Sequence, residues 1–327
     1  MKRKRLLPVI VLLCIFIPMA CSQSASRDNL GPGPGFNQVQ NQQAASPEMN
    51  PSADPASPTT AVLTVHFIDA GQGDAILIQT PQGENLLIDA GSNDSEPVVL
   101  DYLRSSGVKE LAAVVGTHPH EDHIGSMDAV INKFKVNQVY LPRITGNTMT
   151  YRNLLAAAKN QGITIQTARA GAIIPLKNVK CQFLGPCADR YENMNDYSAV
   201  LRVDYGSLSF LFMGDAGTEA ENQMMAQGMN LRAAVLKVGH HGSSSGTGES
   251  FLQAVSPRYA VISCGKDNPY GHPHAETLAK LRQAGVEIYT TPQHGSIIIK
   301  ANGGPEPEIT CLKSQQTAGR NDNAGNN

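Results

Sequence analysis

Tryptophan is absent from this chain, and Phe and Tyr are sparse: aromatic residues make up 5%. A surface that stacks successive bases needs several exposed rings, so the composition advertises no such platform. Basic blocks are missing as well. Lys and Arg number 26 against 28 Asp and Glu, a formal net charge of −2. No Lys/Arg cluster falls inside the folded part, so electrostatics alone makes no case for nucleic-acid binding. Past residue 20 no apolar run approaches the ~20 residues of a spanning helix, which excludes a helical membrane channel there. Histidine is scarce too, with nine in 327 residues. Scarcity makes their grouping informative.

Three of the nine fall between His118 and His123, in Thr117-His118-Pro119-His120-Glu121-Asp122-His123. Imidazole and carboxylate together are the ligand set for zinc, manganese or iron. Four ligands in one tight turn can serve two ions. The preceding Glu110–Gly116 is a short apolar run that reads as a buried strand, and Ile124 opens a helical pattern. The ligands therefore sit on a strand-to-helix loop at the carboxyl end of a strand, where α/β proteins bind ligands.

The ends have a different character. Lys2-Arg3-Lys4-Arg5 precedes an uncharged stretch from Leu6 to Ala20. A basic start and a short apolar run make a secretory signal peptide over 1–21, too short to span. Ala20-Cys21-Ser22 is similar to a bacterial lipoprotein cleavage site, with Cys21 the lipidated residue; ordinary cleavage and release is the alternative. Residues 22–60 are rich in Pro, Gly, Ser, Asn and Gln and cannot bury enough apolar surface to offset their ordering entropy. They read as a linker, and 313–327 as a polar tail. The protein is expected to be exported, touching membrane only through the anchor. No protein partner is inferred. In an exported domain Cys181, Cys187, Cys264 and Cys311 can form two disulfides with three possible pairings, or remain buried thiols.

Residues 61–312 suffice for one large α/β domain. Strand patterns cover Val62–Ile68, Ala75–Gln79 and Leu86–Ile88, then Gln138–Leu141, Ile163–Thr167, Val179–Leu184, Ala199–Asp204, Ser209–Met213, Ala233–Val238, Tyr259–Ser263, Val286–Thr290 and Ser296–Lys300. Helical patterns lie between them. Two blocks of strands flanked by helices favour a four-layer α/β/β/α sandwich.

Further ligands are expected at strand ends. Asp215 follows the apolar Phe212-Met213 through Gly214 and can bridge two metals, or cap the helix after Thr218. In Val238-Gly239-His240-His241-Gly242, neighbouring side chains on an extended segment point opposite ways. One His is then a ligand and the other a supporting or substrate group; His240 is expected to be the ligand. His272 and His274, around Pro273, suit leaving-group protonation or phosphate contact.

With these residues in hand, the chain resembles the metallo-β-lactamase fold superfamily. His118-x-His120-x-Asp122-His123 is similar to its signature loop, and Leu87-Ile88-Asp89-Ala90-Gly91 to its first motif, in which the Asp supports rather than ligates. Asp215 corresponds to the bridging Asp and His240 to the last ligand. Val65 to Ile78, Leu236 to Ser243 and Asn268 to Pro273 resemble the hydrolase domain of ComEC-type competence proteins, here stand-alone. The superfamily usually has another His ligand before the bridging Asp. This chain has no His from 124 to 239, and Asn195 or Asp196 can replace it; oxygen is harder than imidazole and leaves room for manganese.

The resemblance implies two divalent ions, Zn or Mn, held by His118, His120 and Asp215 and by Asp122, His123, Asp215 and His240. A metal-activated hydroxide is the nucleophile, Asp122 orients it, and His241 or His272 protonates the leaving group. Asp69 and Asp74, on the glycine-rich turn, are expected to line the same face. The expected activity is a phosphodiesterase or nuclease acting on DNA. The alternatives are an envelope ester hydrolase (a phosphorylcholine esterase or β-lactamase-like) and a catalytically silent binding module.

Overall fold

The computed structural model describes residues 61–313. The expected signal segment with Cys21, the linker 22–60 and residues 314–327 lie outside the described residues. The chain order opens with β1 (Leu63–Phe67), β2 (Ala75–Gln79), β3 (Asn85–Ala90), α1 (Glu96–Ser105), β4 (Glu110–Leu111), β5 (Ala113–Val115), α2 (Glu121–Ile124), α3 (Met127–Lys133), β6 (Lys135–Val136), β7 (Val139–Leu141), α4 (Met149–Asn160) and β8 (Ile165–Thr167). It continues with β9 (Lys180–Phe183), β10 (Leu201–Tyr205), β11 (Leu208–Phe212), α5 (Thr218–Ala226), β12 (Val235–Lys237), α6 (Glu249–Val255), β13 (Tyr259–Ile262), α7 (Ala275–Gln283), β14 (Glu287–Thr290), α8 (Thr291–His294), β15 (Ile297–Ala301) and β16 (Glu308–Cys311).

One sheet has the order β16-β15-β1-β2-β3-β5-β7-β8 and the other β14-β13-β12-β11-β10-β9; β4 and β6 pair separately. The inner strands of each sheet carry apolar residues at consecutive positions because both faces are covered. In β2, Ile76 and Ile78 pack between the sheets, while Ala75 and Leu77 face α1, α3 and α4. In β11, Phe210 and Phe212 point inward and Leu211 faces the helices of the second half. Phe67 and Phe212 meet across the seam with ring centroids 6.0 Å apart. The result is the α/β/β/α sandwich.

Strands β3, β5, β7 and β8 run parallel, as do β11 to β14. The carboxyl ends of β3, β5, β11 and β12 therefore open onto one edge of the seam. β15 returns to pair antiparallel with β1, Val65 opposite Ile299, so the last strands close the first sheet. Cys181 and Cys264 are buried thiols, and the Cys187 thiol donates to the Leu184 carbonyl at 3.3 Å. No disulfide joins Cys181, Cys187 and Cys264 to one another.

Candidate metal centre

Asp89 is the penultimate residue of β3 and is fully buried. Its Oδ1 accepts from the Thr117 backbone N–H at 2.7 Å, and its Oδ2 from the Thr117 hydroxyl at 2.7 Å. The same Oδ2 lies 2.7 Å from His123 Nδ1. One carboxylate thus fixes both the start of the histidine loop and the orientation of a ring within it. The glycine-rich turn before β2 supports the loop from the other side. Asp74 N–H donates to the Asp122 carbonyl at 3.2 Å. A Cβ on Gly73 would lie 2.0 Å from that carbonyl oxygen, so only glycine permits the approach.

Asp215 follows β11 through Gly214 (φ +53). Its backbone N–H donates to Ser198 Oγ at 3.0 Å. The helix-capping alternative falls to another residue. Asp196 Oδ1 accepts from the Gly217 and Ala220 N–H groups at the start of α5, at 2.9 and 3.3 Å. Asp196 is thereby committed to the helix, and Asp215 is left facing the histidines.

Two clusters result. In the first, His118 Nε2 is 2.9 Å from His120 Nδ1 and 3.7 Å from Asp215 Oδ2. In the second, His123 Nε2 is 3.2 Å from His241 Nε2 and 3.2 Å from Asp215 Oδ1, and His241 Nε2 is 3.2 Å from Asp122 Oδ2. Asp215 turns one oxygen toward each cluster. The expectation put His240 in the second cluster; the structure puts His241 there. The segment is not extended: His240 and His241 both have positive φ, +48 and +51, so the alternation of a strand does not apply. His240 Nε2 is 3.8 Å from Asp215 Oδ2, on the side of Asn195, and its Nδ1 meets Ser245 Oγ at 2.9 Å.

The donor chemistry fits a metal. His241 Nδ1 sits 2.9 Å from the Ser263 carbonyl, which can only accept, so Nδ1 carries the proton. His123 Nδ1 is committed likewise to Asp89. Both Nε2 atoms then present lone pairs to each other, beside two carboxylate oxygens. Such a constellation requires positive charge at its centre, and a bound cation meets all four groups at once. Around the first cluster, burial and then the charge of His123 hold His118 well below the ordinary imidazole range, so it stays neutral and able to ligate. Burial alone would lower His123 and His241. The surrounding carboxylates, Asp215 first, outweigh it, holding His123 well above its ordinary value and His241 up to about 10.

Below the second cluster Asp74 Oδ2 pairs with Lys237 Nζ at 2.9 Å, both buried. Asp74 Oδ1 lies 3.5 Å from His241 Nδ1. Asp74 is thus a buried brace rather than a lining residue, while Asp69 lines the cleft and burial raises its carboxyl. The open cleft, about 800 Å³, is also lined by Asn195, His240, Tyr270 and His272. Asn195 Oδ1 is buried without a hydrogen-bond partner. Burial and then the neighbouring imidazoles push His272 down to about 4, so at neutral pH it is uncharged. His274 instead accepts from the Ser244 N–H at 3.0 Å and holds its own loop.

Lys237, Ser198, Ser263 and Thr117 were not singled out from sequence. Lys237 was detectable as a lone charge inside an apolar strand. Ser198 and Ser263 act through contacts with residues distant in sequence and leave no local signal.

A family model described as the metallo-beta-lactamase superfamily matches residues 68–266. The chain is 34% identical over 250 residues to ComE operon protein 3 of Bacillus subtilis (strain 168), covering 71% of this chain and 32% of that protein. It is 31% identical over 231 residues to Competence protein ComA of Neisseria gonorrhoeae, covering 70% and 31%. The chain thus spans about a third of the length of the curated relatives it matches. Among solved structures it matches a CmlA beta-hydroxylase mutant at a TM-score of 0.51 and 12% identity, over 76% of this chain and 55% of that one. That likeness concerns the fold alone.

Proposed function

The chain belongs to the metallo-β-lactamase superfamily, and from that premise we propose that it is an exported phosphodiesterase that cleaves nucleic-acid strands with two divalent ions, zinc or manganese. The observation that carries the proposal is Asp215, whose two oxygens face two separate clusters of convergent ligand atoms. His118, His120 and Asp215 would hold one ion, and Asp122, His123, His241 and Asp215 the other. Bound there, divalent cations supply hydroxide at neutral pH and stabilise charge developing on a phosphoryl oxygen. Asp89 holds His123 in one tautomer, and the Ser263 carbonyl does the same for His241. Asp122 reaches the cleft wall, where its free oxygen can orient a nucleophile. His272, uncharged at neutral pH, can accept a hydrogen bond from substrate; proton delivery to a leaving group would require its pKa to rise on substrate binding. A relative named as a competence protein supports a DNA substrate. Export and anchoring through Cys21 follow from the signal-like start.

The cleft mouth favours a second substrate. Asp69, Asp94 and Glu121 line it, with exposed Tyr270 and neither Lys nor Arg among its described lining residues. Carboxylates and an aromatic face suit a cationic group, as in a phosphorylcholine ester of the envelope.

Incubation with bis(4-nitrophenyl) phosphate, single-stranded DNA and a phosphorylcholine ester, each with manganese or zinc, tests these proposals. The expected result is metal-dependent cleavage of the first two, reduced on the order of 10²-fold or more in Asp122→Ala. Cleavage of the choline ester alone would select the second substrate. No cleavage of any, or an unaffected variant, would overturn the hydrolytic assignment.

A further inference from the structure

A second groove, about 510 Å³, lies beyond His272, which lines both it and the catalytic cleft. Its charge is opposite in kind. Exposed Lys266 and Arg282 flank it, and neither side chain has a hydrogen-bond or ion-pair partner among the described residues. One carboxylate, Asp267, accompanies the two cations.

Two further observations point to a ligand. Thr290 lines the groove and is only 6% exposed, yet its Oγ1 has no hydrogen-bond partner. His272 Nδ1, on the shared wall, is also buried without one. Buried polar atoms are ordinarily satisfied, and each left unmade costs about 1–3 kcal/mol. The rest of the wall carries Gln293 beside the apolar Pro273, Leu278 and Ile288, and its apolar part suits a flat base or sugar. A hydroxyl, a ring nitrogen and two cations around an apolar wall form a site for an anion attached to an apolar body.

We propose that this groove is a subsite for the phosphate next to the one being cleaved, with its nucleoside, so that the substrate strand runs from the metal clusters past His272 to Lys266 and Arg282. This rests on the phosphodiesterase proposal above and narrows it to a polymer. It also resolves the missing basic patch: the cations are apart in sequence, on the β13–α7 loop and the last turn of α7, and only folding assembles them.

The test uses the full chain loaded with manganese, with fluorescence anisotropy of a labelled oligothymidylate read separately from turnover. The double variant K266E/R282E is expected to weaken binding by about tenfold and to lower the salt dependence of log Kd by roughly 1–2. The ratio of kcat/KM for the oligonucleotide over bis(4-nitrophenyl) phosphate should fall by a similar factor, through KM. Lys266→Gln with Arg282→Gln should show a smaller shift in the same direction, and Thr290→Val a further loss. Poly(glycerol phosphate) should compete weakly, lacking a base. Unchanged binding and salt slope in both double variants would overturn the subsite, as would equal competition by poly(glycerol phosphate). If wild type binds the oligonucleotide but cleaves no phosphodiester, the activity fails while the charge-dependent binding still decides the subsite.

Discussion

His241 donates from Nδ1 to a backbone carbonyl, which leaves Nε2 as the atom that takes a proton or a metal ion beside Asp215, Asp122 and His123. His240, one residue away, has its Nδ1 on a serine hydroxyl and stands outside that group. The two should therefore separate experimentally. His241→Ala is expected to lose the second ion and to cut activity on the order of 10²-fold or more. His240→Ala should keep both ions and lose less. Metal per chain after dialysis against metal-free buffer, measured by mass spectrometry, checks this; a His240→Ala protein stripped of metal would reverse the assignment. Little of the distinction is written locally. The two residues share a left-handed backbone costing about 1–3 kcal/mol each, and what holds it is remote: His240 N–H bonds the Gly214 carbonyl. By contrast the loop from His118 to His123 was legible because its ligands are consecutive. Asn195 and Asp196 were indistinguishable in sequence, and only the position of α5 commits Asp196 to its amino end.

At the level of elements, the seam between the sheets is tied by charge as well as by apolar packing. Lys237 on β12 reaches Asp74 on the turn between β1 and β2, with neither exposed. Burial would raise Asp74, but Lys237 and then His241 pull it down to about 2. A depressed carboxyl contributes stability that is present above its ordinary value near 3.8 and is lost as pH falls toward 2. Lys237→Met leaves that carboxylate buried without its partner and should cost about 3–5 kcal/mol. Adding Asp74→Asn should recover much of the loss, since the uncompensated charge is then gone. Denaturant midpoints of the two variants check this, and a double variant less stable than Lys237→Met would count against it. The strands themselves were legible, because alternation and continuous apolar runs both follow from burial. The helix after the histidine loop was less so. It breaks at Gly125, where a Cβ would lie 2.2 Å from Asn93 N, a constraint imposed by another segment. β16 is half-exposed and carries no strong pattern, and β4 splits from β5 because it pairs in a sheet of its own.

For the whole molecule, the centre is a place where protons and metal ions compete. Its ligands come from both sheets, after β5 on one side and after β11 and β12 on the other, so whatever cation occupies it also clamps the seam. In the metal-free protein that cation is a proton. His241 titrates near 10 rather than at its ordinary 6.5, and His123 is shifted in the same direction. A raised histidine contributes stability fully below about 6.5 and loses it as pH climbs toward 10. The chelated protein should therefore melt at progressively lower temperature between those limits, as the carboxylates of Asp215, Asp122 and Asp74 lose their counter-charge. Metal binding at the second cluster has the opposite slope, because the ion there must displace the protons of His123 and His241. Its affinity should climb over the same interval, and roughly one to two protons should be released as that ion binds near neutral pH. At a hundredfold excess over Kd, each ion adds about 2.7 kcal/mol. The gap in Tm between loaded and chelated protein should thus widen with pH. A chelated protein with a flat Tm from pH 6.5 to 10, or binding without proton release, would mean that the two imidazoles are neutral before the metal arrives and that something other than a proton balances the carboxylates.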